Sequence, residues 1–478
     1  MKLTITTLSL AAATALTAWA EPALTIYNQN FAVVRDTVAL DLKAGVNEVR
    51  FADATAHLEP DSVILRDLKG KIALQILEQN YRNDPVTQEL LLSMFEGKTI
   101  DFVTYRMKDN TQVKEIVSGK VIRSGHVPGG GSEQPIIEVN GKLQFYLPGQ
   151  PLFPNLGDDT VLKPTLNWLL NSSKGGKTDA EVSYITSGFT WEAAYNLVAP
   201  EKGDVVDIIG WITMNNQSGK TFKDAKIKLM AGDVQKIQQM PAVAGRMRAF
   251  AMESAAREET VSEKSFDEFH LYTLARATTL RDREMKQVEF VRATGVKAPV
   301  IYVYDGAMGY RFYGGLNYNR GYGSSENKKV QIVREFVNSE TNHLGIALPK
   351  GRLRFYRQND DGQMEFTGED MIDHTPRNEL VRVTTGNSFD LVGERKQTDF
   401  KVDTSEKWLN ETFEIKLRNR KKEPVTIRVV EHLYRWSNWN ITKKSDDFKK
   451  TDSQTVEFNV KVMPDEEKTV SYTVHYSW

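Results

Sequence analysis

No cysteine occurs in the sequence. Disulfides, thiolate metal sites and cysteine nucleophiles are excluded together, because each requires sulfur. An excess of either charge is also missing: 62 Lys and Arg stand against 63 Asp and Glu, for a net charge of −1. So balanced a chain generates no long-range field to gather phosphate backbones or anionic lipid, and nucleic acid is not expected as a partner. Beyond the N-terminus no uncharged apolar run is long enough for a transmembrane helix. Close histidine pairs are lacking too, the seven histidines being scattered at His57, His126, His270, His343, His374, His432 and His475.

Two further motifs are incomplete. Gly-Lys-Thr occurs at Gly97, Gly176 and Gly219, but Leu92, Asn171 and Met214 stand where a phosphate-binding loop needs its upstream glycine, so these triplets read as turns. Serine hydrolases of the Gly-x-Ser-x-Gly type need a nucleophile elbow, and none surrounds Ser187-Gly188 or Ser324-Ser325. No cofactor and no metal is expected.

What the chain does have begins with a leader. Lys2 gives a positive start, Leu8 to Leu16 an apolar stretch shorter than the roughly 20 residues that span a bilayer, and Ala18-Trp19-Ala20 a small-x-small cleavage site. Cleavage near Ala20, before Glu21, would send the mature chain to the periplasm or the exterior.

The rest reads as mostly β, with length enough for two to three domains. Ile26, Val33, Val34, Val38, Leu40 and Leu42 suggest a hairpin over Leu24 to Phe51 turning at Gly45, extended by runs at Ser62 to Leu65 and Ile72 to Leu77. Asp84 and Pro85 then suit the cap and first turn of a short helix ending at Gly97. Short strands from Ile100 to Leu147 have the spacing of a small barrel. Pro148, Pro151 and Pro154 punctuate a connector, with a boundary near Asn155. This organisation gives a signal peptide over 1–20, an N-terminal β domain with a short helix over 21–97, and a barrel-like segment with connector over 98–155. A large antiparallel β-sandwich-type domain follows over 156–478, with loops at 240–268 and 306–325.

Three places hold candidate function. Tyr310, Phe312, Tyr313, Tyr318 and Tyr322 lie among glycines, and rigid rings on an adaptable backbone make a contact surface; a hairpin tip gives the same pattern. Asp370, Asp373 and His374, with Glu369 and Glu379 nearby, could hold a hard cation or present a catalytic base, or form an acidic turn in which His374 caps a backbone group. Val470, Tyr472, Val474, Tyr476 and Trp478 alternate as in an outer-membrane barrel strand, although Val456, Phe458, Val460 and Val462 repeat the pattern as an ordinary hairpin would.

Several segments carry a resemblance. They are Trp191-Glu192-Ala193-Ala194-Tyr195, Trp211 to Gly219 reaching Ala231-Gly232-Asp233, and His270-Leu271-Tyr272 to Thr279-Leu280 with Lys286-Gln287. Leu348-Pro349-Lys350-Gly351, Gly368-Glu369-Asp370 with His374-Thr375-Pro376, and Glu431 with Trp439 complete the set. In these the chain resembles an exported bacterial family related to mucoidy inhibitor A, which shares a C-terminal domain of unknown function (domain of unknown function 4139). Similarity over Leu24 to Asn83 is weaker, and the heptad-rich coiled coil of longer members is missing. The resemblance implies domain layout and export, and transfers no catalytic residue. The expectation is therefore an exported, non-catalytic β scaffold of the cell envelope binding a protein or glycan partner. The alternatives are a hydrolytic or glycan-modifying enzyme using Asp370, Asp373 and His374, and an outer-membrane-associated β protein.

Overall fold

The computed structural model describes residues 21–83, 86–108, 111–127, 133–154, 161–232, 234–236, 261–266, 268–309, 315–323 and 327–478. The leader with its Ala20 cleavage site, Asp84, Pro85, the boundary residue Asn155, Ser324, Ser325, most of the 240–268 loop, and Tyr310, Phe312 and Tyr313 lie outside them. The chain divides into two compact units. One takes Met1–Phe189, Asn215–Ile227 and Ala277–Glu284; the other takes Thr190–Met214, Lys228–Arg276 and Met285–Trp478.

In the first unit Ala23–Tyr27 and Phe31–Leu42 form an antiparallel hairpin, pairing Leu24 with Val34 and Ile26 with Ala32. The second strand then pairs along its whole length with Gly176–Ser187, which also takes Ile64–Asp67 on its other side. The hairpin thus ends at Leu42 rather than reaching Phe51. Gly45, at φ +91°, turns Gly45–Ala52 away into a separate three-stranded sheet around Thr165–Ser172, whose third member is Leu74–Arg82. The central strand supplies the reason: Leu166, Trp168 and Leu170 alternate inward at 0–2% exposure, and Trp168 stacks on Phe51 at 5.8 Å. Period-two burial of that kind anchors neighbours on both edges.

The short helix is Gln88–Met94, and its cap is Thr87, whose hydroxyl accepts from the Leu90 amide at 3.2 Å. Its buried residues are Leu91 and Leu92, and Leu92 joins a core with Ile100, Phe102, Val121 and Ile137. Those four belong to a five-stranded antiparallel sheet ordered Gln150–Leu152, Thr99–Lys108, Thr111–Arg123, Ile136–Val139, Lys142–Gln144. The barrel-like spacing produced an open sheet here, with no pairing between its two end strands among the described residues.

The second unit holds a five-stranded and a nine-stranded sheet. In the five-stranded one, Phe189–Ala199 runs parallel to Gly351–Gln358. The nine-stranded one is ordered Trp439–Lys444, Glu467–Ser477, Trp408–Asn419, Leu380–Asp403, Lys329–Val337, Val300–Asp305, Val425–His432, Thr455–Val462, Phe448–Lys450. Its first and last strands are joined through residues 445–447, so the sheet must curl until its two ends meet. Side chains from both halves then share one interior: Phe458 packs on Tyr472 at 5.7 Å, and Tyr472 on Phe413 at 5.6 Å. Val470, Tyr472, Val474 and Tyr476, at 0–1% exposure, all belong to that core. The mostly β architecture with sandwich-like packing stands, and it includes parallel pairings, another being that between Val300–Asp305 and Val425–His432.

Candidate functional site

Inward positions of the nine-stranded sheet should be apolar, yet Arg395, Glu411 and Glu431 place charged side chains there. Arg395 on Leu380–Asp403 directs Nε to both oxygens of Glu431 at 2.9 Å, while Nη2 lies 2.9 Å from Oε2. The Tyr472 hydroxyl donates to the same carboxylate. The Arg395 guanidinium rests 3.7 Å from the centre of the Phe413 ring. Burial alone would loosen the arginine's proton; the Glu431 charge overrides it and raises the Arg395 pKa above its ordinary value. Tyr472 is held neutral, its pKa pushed well up by burial and then by the Glu431 charge.

A second pair lies alongside. Arg435 Nε donates to Glu411 Oε2 at 2.7 Å, and Gln397 donates to the same oxygen at 3.1 Å. Both charged side chains are at most 4% exposed. Burial raises the Glu411 pKa, opposed by the Arg435 charge. Next on the same strand as Glu431, His432 places Nε2 2.9 Å from Asp305 Oδ2 and stacks its ring on Tyr434 at 4.8 Å.

The guanidiniums have donors left over, and those donors hold a loop. Arg435 Nη1 donates to the carbonyls of Asn317 and Asn319 at 3.1 and 2.8 Å, and Nη2 donates to that of Tyr322 at 2.9 Å. Arg395 Nη1 takes the carbonyl of Gly323. In return the Asn317 amide donates to the Arg435 carbonyl at 3.2 Å. The segment 315–323 is thereby fastened to the end of the sheet, where Tyr318 sets its ring edge-on to Trp478 at 5.3 Å and stays 45% exposed. Between loop and sheet remains a cavity of about 10 Å³ lined by Ala307, Tyr322, Gly323, Arg395, Glu411 and His432. It offers room for one water and none for a substrate.

Of the tyrosine-rich candidates, Tyr318 and Tyr322 thus sit in a fastened segment, and Tyr322 lies 5.5 Å from the Arg435 guanidinium. Tyr302 and Tyr304 belong to the strand Val300–Asp305. The Tyr304 ring fills the space over Gly393, where an added Cβ would come within 2.1 Å of it.

Asp370 and His374 serve backbone. Asp370 accepts from the Met371 and Thr384 amides at 2.8 and 2.6 Å, and His374 Nδ1 accepts from the Lys350 amide at 3.1 Å. The Asp373 side chain is 92% exposed and 3.6 Å from Lys350 Nζ. Among the described residues no group of three or more His, Asp or Glu side chains is placed to hold a metal ion. The Gly-Lys-Thr triplets at Gly97 and Gly219 lie at turns with glycine φ of +80°, the one at Gly176, φ +137°, opens the strand Gly176–Ser187, and Lys220 is drawn into an ion pair with Asp36 at 2.7 Å.

Sequence reasoning passed over Arg395, Glu411 and Arg435. The signal was present: Glu411 falls in the register of Leu409 and Phe413, and Glu431 in that of Ile427 and Val429. A charge at an inward position of an alternating strand announces a buried partner.

A family model described as a domain of unknown function, DUF4139, matches residues 180–478, a span that contains every residue of this site. No curated protein matches the chain.

Proposed function

The chain belongs to the DUF4139 family, and from that premise we propose that it is an exported, non-catalytic β scaffold of the cell envelope that presents the 315–323 segment to a protein or glycan partner. The supporting observation is that two buried arginines hold four carbonyls of one surface segment, those of Asn317, Asn319, Tyr322 and Gly323. Burying an ion pair gains little stability over apolar packing, so two such pairs at one loop argue for a fixed loop shape. A pre-shaped loop loses less entropy on binding, and a half-exposed ring such as Tyr318 offers contact area at low entropy cost. The leader, and the resemblance to exported proteins related to mucoidy inhibitor A, support placement outside the cytoplasm. No feature of the Asp370, Asp373 and His374 region favours hydrolysis.

The test is photocrosslinking in intact cells. Benzoylphenylalanine replaces Tyr318 in one strain and Phe389, which is 97% exposed elsewhere on the second unit, in another. Adducts heavier than the mature chain are expected at position 318 and not at 389. Absence of an adduct at 318 in a folded, exported chain removes the reading, as does retention of the chain in the cytoplasm with its leader uncleaved.

A further inference from the structure

We infer that protonation of His432 sets how firmly the 315–323 segment is held, so that presentation of the loop follows the surrounding pH. This inference rests on the reading of that segment as the binding loop, and it concerns the regulation of that site.

The geometry runs through Asp305. This residue ends the strand Val300–Asp305 and begins the excursion that contains the loop. Its Oδ2 faces His432 Nε2 at 2.9 Å, and its Oδ1 accepts from the Ala307 amide at 3.1 Å, fixing the first turn of the departing chain. The Asp305 carbonyl accepts from Asn327 Nδ2 at 3.1 Å, and the Gly306 carbonyl accepts from the Asn327 amide at 3.2 Å. The Asp305 carboxylate therefore fixes the departing stem, the Asp305 and Gly306 carbonyls hold the returning one, and His432 is the carboxylate's cationic partner.

Charges face His432 from every element packed on it. Asp305 comes from Val300–Asp305, Arg395 from Leu380–Asp403, and Glu431 from its own strand. Asp452 lies close enough to feel its charge, and Thr455 places a hydroxyl 3.5 Å from Nδ1. Tyr434 stacks on the ring, while Glu411 and Arg435 line the same small cavity. With His432 protonated, three cations (His432, Arg395, Arg435) meet three carboxylates (Asp305, Glu411, Glu431), Asp452 being exposed to solvent. Loss of the proton leaves two against three in a largely buried space, where unbalanced charge is most costly. The surplus negative charge lies beside Ala307, Tyr322 and Gly323, that is, beside the loop itself.

The sign follows. Burial opposes the imidazolium, but the hydrogen bond and charge of Asp305, then the Glu431 charge, raise its pKa above 6.5. A raised histidine contributes stability that is fully present below 6.5 and is lost as pH rises through the folded-state value. The loop is held more firmly in mild acid and less firmly in mild alkali. A chain outside the inner membrane meets the pH of the medium, which makes the range from acid to alkaline reachable in life.

Hydrogen exchange on the full mature chain tests the inference. The readout is the protection of the Asn317, Tyr322 and Asn327 amides, each corrected for its intrinsic exchange rate, between pH 5.5 and 8.5. Protection is expected to fall several-fold across that range, while that of the Phe458 amide in the core stays level. In His432→Gln, and independently in Asp305→Asn, the loop's pH dependence should vanish. A level wild-type profile overturns the inference, and so does a His432→Gln profile that keeps the full wild-type slope. If His432→Gln fails to fold, Asp305→Asn decides alone by the same criterion. Crosslinking at position 318, run at both pH values, separates this failure from that of the function. Equal adduct yield with level exchange overturns the regulation and leaves the scaffold role. No adduct with pH-dependent exchange overturns the scaffold role and leaves the His432 device.

Discussion

At the scale of single residues, the second unit turns on the cost of buried charge. Arg435, 2% exposed, spends one donor on Glu411 and three hydrogen bonds on loop carbonyls. Truncating it in Arg435→Ala leaves the buried Glu411 without its cation and three loop carbonyls without their donor. Breaking a buried pair from one side costs about 3–5 kcal/mol. The urea midpoint of the second unit should fall accordingly, and the Arg435→Ala/Glu411→Leu double variant should recover a large part of the loss, because no charge is then left unpaired. A double variant no more stable than the single one would mean that Arg435 acts through packing over Phe400, 4.9 Å away, rather than through Glu411. Half of this arrangement was legible in the sequence. Glu411 and Glu431 break an inward apolar row, but Arg395 and Arg435 are their partners only through strands paired across long separations, which one chain read alone cannot pair.

Elements were more legible than their neighbours. Alternation located the strands because each side chain's face is set by a period of two, as in Trp408–Asn419, where burial alternates residue by residue. Pairing was less accessible: Gly45–Ala52 looks like the continuation of its hairpin, and the partner that captures it, Thr165–Ser172, lies over a hundred residues on. The terminal run from Val470 to Tyr476 shows the same limit, since an identical alternation serves a lipid-facing strand or, as here, one packed on Phe413 and Phe458. The helix makes a smaller version of the point. Both Asp84 and Thr87 are capping residue types, and the choice falls to the one whose hydroxyl meets the Leu90 amide. Thr87→Ala should therefore destabilise Gln88–Met94 by about 0.5–2 kcal/mol. The measurement is exchange protection of the Leu90 to Leu92 amides, with the nine-stranded sheet of the second unit as an internal reference. Unchanged protection would show that packing of Leu92 on Phe102, rather than the cap, holds the helix.

For the whole molecule, composition and patterning sufficed for the mostly β class, whereas the curling of the nine-stranded sheet was hidden. It depends on Trp439–Lys444 and Phe448–Lys450, joined by three residues, pairing with different partners at the two ends of one sheet. The charge balance carries further consequence. With 62 basic against 63 acidic residues, the chain has no global field to steer a charged partner. The loop is fastened by groups whose charges nearly cancel, and Tyr318 meets its surroundings as a neutral ring. Recognition at that ring would thus draw on apolar contact and hydrogen bonds, neither of which is screened by ions, whereas contacts to a polyanion lose about 10³–10⁵ in affinity between 50 and 200 mM salt. Adduct yield at position 318, measured on isolated envelopes across that salt range at fixed pH, should accordingly change by less than about twofold. A steep fall would instead identify the partner as polyanionic and place its contacts on lysines and arginines outside the 315–323 segment.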